Sequence, residues 1–390
     1  MKRSRRHQKG HVFRKGHSWY LRYYDHEIQT NGTIKLVSKC RKLVAYGGDY
    51  RSKKAAQVLA DEFLAPINNG TLTPHSTMKL AQFVNSIYLP FVKAHKRPST
   101  HRGYLNMWKR YLEPRSALAL RDFRTADGER LLEDIAKEHA LTSTTMAHIK
   151  AFLSGAFRYA KRQGVINSEN PMRDVVLPKA KPAGDTFAYS LEQIRQMLSV
   201  LTEPAATVVA AAAFTGVREG ELRGLLWEDY DGEQIRITQS VWRKYIQEPK
   251  TKKSAGSVPI IPRLAERLDL HRALMGNPKS GLVFPNSVGK PMCMARLARD
   301  IIRPAFLKDG LQWHGWHAFR RGLATNLHQL GVSDKTIQAI LRHSNVALTQ
   351  SCYIKTSNAD AVEAMLTLEH ATNVQLEQAE AQSNQLTPLM

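Results

Sequence analysis

The chain has 390 residues, of which 43% are hydrophobic: too long for one ordinary core and apolar enough to build two or three. Its 57 Lys+Arg outweigh 34 Asp+Glu, and the resulting net charge of +23 points to a polyanionic partner, of which nucleic acid is the commonest. Three scattered cysteines (Cys40, Cys293, Cys352) make neither a disulfide framework nor a CxxC site, and no stretch reaches the ~18 apolar residues of a membrane span or forms a signal peptide. The expectation is a cytoplasmic protein with no membrane partner.

The first 60 residues hold 15 Lys+Arg against 3 Asp+Glu. Within them "SWYLRYYDHEI" and "GTIKLVSKCRKLV" alternate bulky and polar residues with a period of two, and the helix-like "SKKAAQVLADEFLAPI" follows. This predicts a small sheet packed by one helix. Its solvent face is expected to carry Arg22, Tyr24, Lys35 and Lys39, preceded by a basic tail that includes Arg3 and Arg5. From Met78 to Leu177 the spacing becomes helical, with Trp108, Tyr111, Leu112, Phe152 and Phe157 as expected core and Lys96 and Arg97 on a phosphate-facing edge. "LPKAKPAGDTFAYS" reads as a linker by its prolines and glycine.

Beyond it, Ser190 and Gln193 suit a capping box, and "ATVVAAAAFTG" reads as a buried helix stopped at Gly216. "EQIRITQSVW" and "SVPIIP" read as strands around a long basic hairpin containing "PKTKKSAG"; helices resume through "NADAVEAML". The last segment, 371–390, is Gln-rich without Lys or Arg, and is expected to fray or to dock on a partner subunit.

Singly, the polar candidates carry little information. Arg218 can pair with Glu221 three residues on, Lys250 sits in a hairpin where lysines are common, and His317 with Arg320 forms an ordinary HxxR. Together, two arginines, a lysine and two histidines, without a carboxylate pair, ask for a phosphate. A zinc site starting from His314 and His317 lacks a third ligand of suitable spacing, and no GxxxxGK[ST] loop is present. Neither a metal nor another cofactor is expected.

In this order the residues resemble the tyrosine recombinases, and among them the integrases of phages and mobile elements. "TGVREGEL" is similar to the family's first arginine box and gives Arg218, with Glu221 as its buried partner; "EPKTKKSAGSVPI" is similar to the lysine hairpin and gives Lys250. "WHAFRRGLAT" gives His317 and Arg320, and "ILRHSNVALTQSCYIK" gives His343 and the nucleophile Tyr353. Ala255 and Gly256 stand where many relatives keep arginines, and "LRHS" replaces the frequent "LGHS", which sets Arg342 beside the histidine.

The resemblance implies a multidomain, mainly α fold: a small α+β arm-binding domain (1–70), an all-helical core-site DNA-binding domain (76–178), a linker (179–187), a mixed α/β, mostly helical catalytic domain (188–370) and a tail (371–390). It implies double-stranded DNA with core and arm sites as partner, a homotetramer on paired sites, and help from DNA-bending or directionality factors. The implied reaction runs through a 3′-phosphotyrosine and needs neither ATP nor metal. A non-catalytic DNA-binding regulator on the same scaffold, or a type IB topoisomerase, are the rival readings.

Overall fold

Alternating bulky and polar side chains build the first structure in the chain. The computed structural model describes residues 7–28, 33–69, 73–182, 184–249 and 255–342, and the chain divides at Gly184 and Asp185 into two compact units. In the first unit β1 (His11–Lys15), β2 (Ser18–Ile28) and β3 (Ile34–Ala45) form an antiparallel sheet in that order. Val12, Trp19, Leu21 and Tyr23 bury one face against Ala56, Ala60 and Leu64 of α1 (Lys53–Asn68), whose first turn is capped by the Ser52 hydroxyl.

The register corrects one expectation. Residues directly opposite each other share a face of the sheet, and the pairs are Arg22 with Cys40, Tyr24 with Ser38, Tyr23 with Lys39 and Glu27 with Lys35. Arg22 and Tyr24 therefore point away from α1, whereas Lys35 and Lys39 lie on the Tyr23 face. There Lys39 stands 3.9 Å from Glu27. Period-two alternation fixes the faces within each strand; only the pairing decides which face of one strand meets which of the next. Arg3 and Arg5 lie outside the described residues.

The helical part of the same unit comprises α2 (Leu80–Phe83), α3 (Leu89–His95), α4 (Pro98–Met107), α5 (Thr125–Glu138) and α6 (Ser143–Arg162). A π turn, Val84–Tyr88, joins α2 to α3, and another, Trp108–Leu112, prolongs α4. In each case a proline, Pro90 or Pro114, follows two residues later. A wider turn moves aside the carbonyl that the proline ring would otherwise strike and needs no amide from it. Phe83, Trp108, Leu112, Phe152 and Phe157 are fully buried, with Tyr111 at the core's margin. A buried ion pair between Asp25 of β2 and Arg121 ties the sheet to this part of the unit.

The second unit begins with α7 (Leu191–Val200), closed by reciprocal bonds between Ser190 and Gln193. The alanine-rich α8 (Ala205–Thr215) is buried on nearly every side and stops at Gly216, whose φ of 60° is left-handed; α9 (Glu219–Leu222) follows at once. The single strand expected from "EQIRITQSVW" is broken in two. β4 (Gln234–Arg236) pairs with β7 (Ser257–Pro259), while β5 (Ser240–Trp242) folds back on β6 (Tyr245–Gln247) through a tight turn with Arg243 at φ 54°. The remaining helices are α10 (Pro262–Leu274), α11 (Met294–Leu297), α12 (Arg303–Lys308), α13 (Trp316–Gln329) and α14 (Asp334–Leu341). The Ala298–Ile302 link between α11 and α12 is again a π turn two residues ahead of a proline, Pro304. Among the described residues, no helix is long and apolar enough to cross a membrane.

Gly322 of α13 lets the Tyr189 backbone lie directly on the helix. A Cβ there would meet the Tyr189 carbonyl oxygen at 2.4 Å and its nitrogen at 3.0 Å, and backbone yields less readily than a side chain. Gly322→Ala is expected to destabilise the second unit by ~1–3 kcal/mol or more. Gly103→Ala, on the open face of α4 with nothing within 4 Å, is expected to stabilise by up to ~1 kcal/mol. Thermal and urea melts of the full chain check both; equal effects at the two positions would contradict the packing described.

Candidate active site

Arg218 stands at the turn between α8 and α9. The Glu221 carboxylate accepts its backbone N–H at 3.0 Å through Oε2 and its Nη1 at 2.8 Å through Oε1. Three residues along a helix start is the distance over which a carboxylate reaches back to the N-cap, so the sequence builds this contact locally. The Arg218 side chain stays 38% exposed while that of Glu221 is only 4% exposed. The guanidinium is thus held through Nη1 while the side chain stays partly open to solvent.

A second arginine reaches the same carboxylate from inside. Arg342, the C-cap of α14, has φ 55° and a side chain 4% exposed, and its Nη2 donates to Glu221 Oε2 at 2.8 Å. Burial alone would raise the Glu221 pKa. Arg342 and then Arg218 overcome that, and the carboxyl is held below its ordinary value and charged.

Arg320 is fully buried. Its Nη1 donates to the Gly216 carbonyl at 2.6 Å, and its Nη2 donates to the Leu341 carbonyl, so it clamps the α8–α9 turn to the end of α14. The absence of a side chain at Gly216 permits this approach: a Cβ would stand 2.7 Å from Leu341 Cδ2 and 2.9 Å from Leu323 Cδ2. His317, one turn earlier on α13, reaches solvent. Protein crowded around its ring removes part of its hydration, and Arg320, Arg321 and Arg218 add like charge, so its pKa lies below the ordinary 6.5 despite the opposing pull of Glu221. The imidazole is neutral at neutral pH and able to take a proton.

The structure therefore brings Arg218, Glu221, His317 and Arg320 into one electrostatic neighbourhood and adds Arg342 to it. Lys250, His343 and Tyr353 lie outside the described residues. Arg223, also absent from the sequence-based candidates, ties α9 to its surroundings: its guanidinium donates to the carbonyls of Met292, Val241 and Arg243 at 2.8, 3.1 and 2.9 Å, which anchors the β5–β6 hairpin. His314 is stacked on Phe187 with ring centroids 3.7 Å apart.

The first unit carries two basic surfaces of its own. On the outer face of the sheet Phe13 stacks on Tyr20, and the Arg22 guanidinium lies 5.4 Å from the Phe13 centroid, with Tyr24 56% exposed beside them. In the helical part an open groove of ≈ 830 Å³ is lined by Lys96 together with Lys150, Arg158 and Arg162. Arg97, the N-cap of α4, is half-buried. The α6 cations escaped the sequence reading because the helix was read for its apolar face; Arg158 and Arg162, one turn apart, were the available signal.

Residues 189–359 match the model of the phage integrase family. The chain is 26% identical over 353 residues to the tyrosine recombinase XerC-like protein of Caldanaerobacter subterraneus subsp. tengcongensis, covering 81% of this chain and 90% of that one. It is 23% identical over 336 residues to an integrase of Streptomyces ambofaciens, covering 80% and 86%. Among solved structures, the Tn1549 transposon integrase in complex with transposon right end DNA superposes with a TM-score of 0.60 at 20% identity, covering 75% of this chain and 100% of that one. A lambda integrase tetramer bound to a Holliday junction gives 0.56 at 17%, covering 87% and 93%. The mainly helical fold is shared with these integrases, and these likenesses support a tyrosine site-specific recombinase.

Proposed function

We propose that the protein breaks and rejoins double-stranded DNA at defined sites through a covalent bond between a 3′ phosphate and Tyr353, and that it thereby integrates or excises a mobile element. The observation that carries this reading is the pairing of a fixed, half-exposed Arg218 with a neutral His317 in a setting whose nearest carboxylate, Glu221, is already engaged by two arginines. Such a site is made to receive an anion and a proton.

A phenol, with a reference pKa near ~10, is mostly protonated at neutral pH and needs a base. His317 takes the proton as the Tyr353 oxygen bonds to phosphorus and the bond to the 5′ oxygen breaks; Lys250 protonates the departing 5′ oxygen. Arg218, with His343 donating, stabilises the charge that builds on the non-bridging oxygens; Arg320, whose Nη1 and Nη2 donate to the Gly216 and Leu341 carbonyls, would join them by releasing one of those bonds. Attack of a new 5′ hydroxyl on the phosphotyrosine reverses these steps, and the bond energy is conserved without a cofactor. Four copies on two paired sites would exchange strands in turn, with DNA-bending or directionality factors as further partners. The outer face of the sheet, with Arg22 and Tyr24, would read arm sites, and the Lys96 groove would follow the phosphates of the core site.

A nicked duplex spanning the DNA that borders the coding sequence, incubated with the protein and resolved on a denaturing gel, tests the chemistry. Wild type should form a covalent adduct, Tyr353→Phe none, and Arg218→Ala should form it about a hundredfold more slowly or worse. Relaxation of any supercoiled DNA without site preference would favour a topoisomerase. No adduct from wild type would favour a regulator that cuts nothing.

Two further outcomes follow from the charges. Because the His317 pKa is lowered, chiefly by burial, the imidazole stays unprotonated at 6.5 and the acid limb of kcat/KM for cleavage should lie below that value. A limb at or above 6.5 that survives His317→Ala would remove histidine from the role of base. Site affinity should also fall by roughly a thousandfold or more between about 50 and about 200 mM salt; gel-shift affinities flat across that range would deny the phosphate-dominated interface.

A further inference from the structure

We propose that Arg342 is a positioning residue for DNA cleavage: from the buried side it satisfies the charge of Glu221, and so leaves Arg218 a full cation for the scissile phosphate. The inference rests on the reading of Arg218 as a phosphate-binding group.

One carboxylate lies between two guanidinium groups. Glu221 Oε2 accepts Arg342 Nη2 at 2.8 Å and the Arg218 backbone N–H at 3.0 Å, while Oε1 accepts Arg218 Nη1 at 2.8 Å. With Arg218 alone, this buried acid would form a neutral pair and hold the guanidinium to itself, since a carboxylate can grip an arginine fork with both oxygens. With Arg342 the trio keeps one net positive charge. Of the three side chains, that of Arg218 is the one open to solvent, 38% exposed against 4% for each of the others, so the surplus is presented there.

The backbone indicates that Arg342 is there for its side chain. Its φ of 55° and ψ of 44° are left-handed, the conformation that glycine adopts without steric cost at the end of a helix. Burial lowers the Arg342 pKa and Glu221 opposes that; an arginine begins so high that it remains charged. The adjoining Leu341 carbonyl accepts from Arg320, so the end of α14 is fixed by two arginines at consecutive carbonyl and side-chain positions. The next residue in the chain is His343.

Four full-length proteins test the proposal on the nicked duplex used above, with single-turnover adduct formation as the readout and circular dichroism and melting as folding controls: wild type, Arg342→Lys, Arg342→Gln, and Arg342→Gln with Glu221→Gln. Glutamine keeps a hydrogen bond to Glu221 and loses the charge, and is expected to slow cleavage by about tenfold to a hundredfold. Lysine, which keeps the charge, should stay within a few-fold of wild type. Neutralising Glu221 in the glutamine variant should restore much of the lost rate, because Arg218 then has no unsatisfied acid to serve. A double variant no faster than Arg342→Gln, or an Arg342→Gln protein as fast as wild type, overturns the proposal while leaving the cleavage reading intact; failure of wild type to form an adduct overturns the cleavage reading and the proposal with it. If the glutamine variant does not fold, Arg342→Gly, which suits the left-handed backbone, is compared in the same way with and without Glu221→Gln, and absence of rescue again overturns the proposal.

Discussion

The buried carboxylate of Glu221 is the point on which the arginine cluster of the second unit rests. It closes the first turn of α9, orients Arg218 through both backbone and side chain, and receives Arg342 from the end of α14. Two segments 121 positions apart are thereby held together, and Arg320 repeats the arrangement with its two bonds to the Gly216 and Leu341 carbonyls. Buried ion pairs of this kind add little net stability, because stripping water from the charges costs about what their attraction returns. Their effect is geometric. A turn that must present a cation in one direction is better fixed by charged hydrogen bonds than by apolar contacts that tolerate sliding.

The surrounding packing serves that geometry. α8 is buried almost all round and ends in a left-handed glycine, so the chain leaves the core abruptly and Arg218 emerges two residues later. α13 offers Gly322 to the Tyr189 backbone and Arg320 to the α8–α9 turn from successive parts of one helix, while Asn326 donates to the Tyr189 carbonyl at 3.2 Å. His317 sits on the same helix, where burial of its ring, and after it Arg320 and Arg321, hold its pKa below the ordinary value. The proposed base thus shares one helix with Arg320, and the neighbouring cations add to the burial that keeps its imidazole unprotonated.

How far this could be read from the sequence follows from the range of each interaction. Contacts within one turn were legible: the Ser190–Gln193 box, the Gly216 stop, and the Glu221 partner of Arg218 all depend on residues a few positions apart. Contacts that depend on long-range pairing were not. Lys35 and Lys39 changed faces because strand alternation does not specify register, and "EQIRITQSVW" split because its two halves found different partners. Arg342 was visible as a departure from a glycine, yet its bond to a carboxylate 121 positions earlier could not be inferred from spacing. The roles of Lys250, His343 and Tyr353 rest on motif order alone.

The most direct measurement is a crystal structure of the full chain trapped on a nicked recombination site. At least one protomer should then show the Tyr353 oxygen bonded to, or in line with, a phosphorus atom whose non-bridging oxygens meet the Arg218 guanidinium, with Glu221 still held between Arg218 and Arg342. A phenol remote from that guanidinium in every protomer, or a Glu221 that has released Arg342 to bind elsewhere, would contradict that expectation.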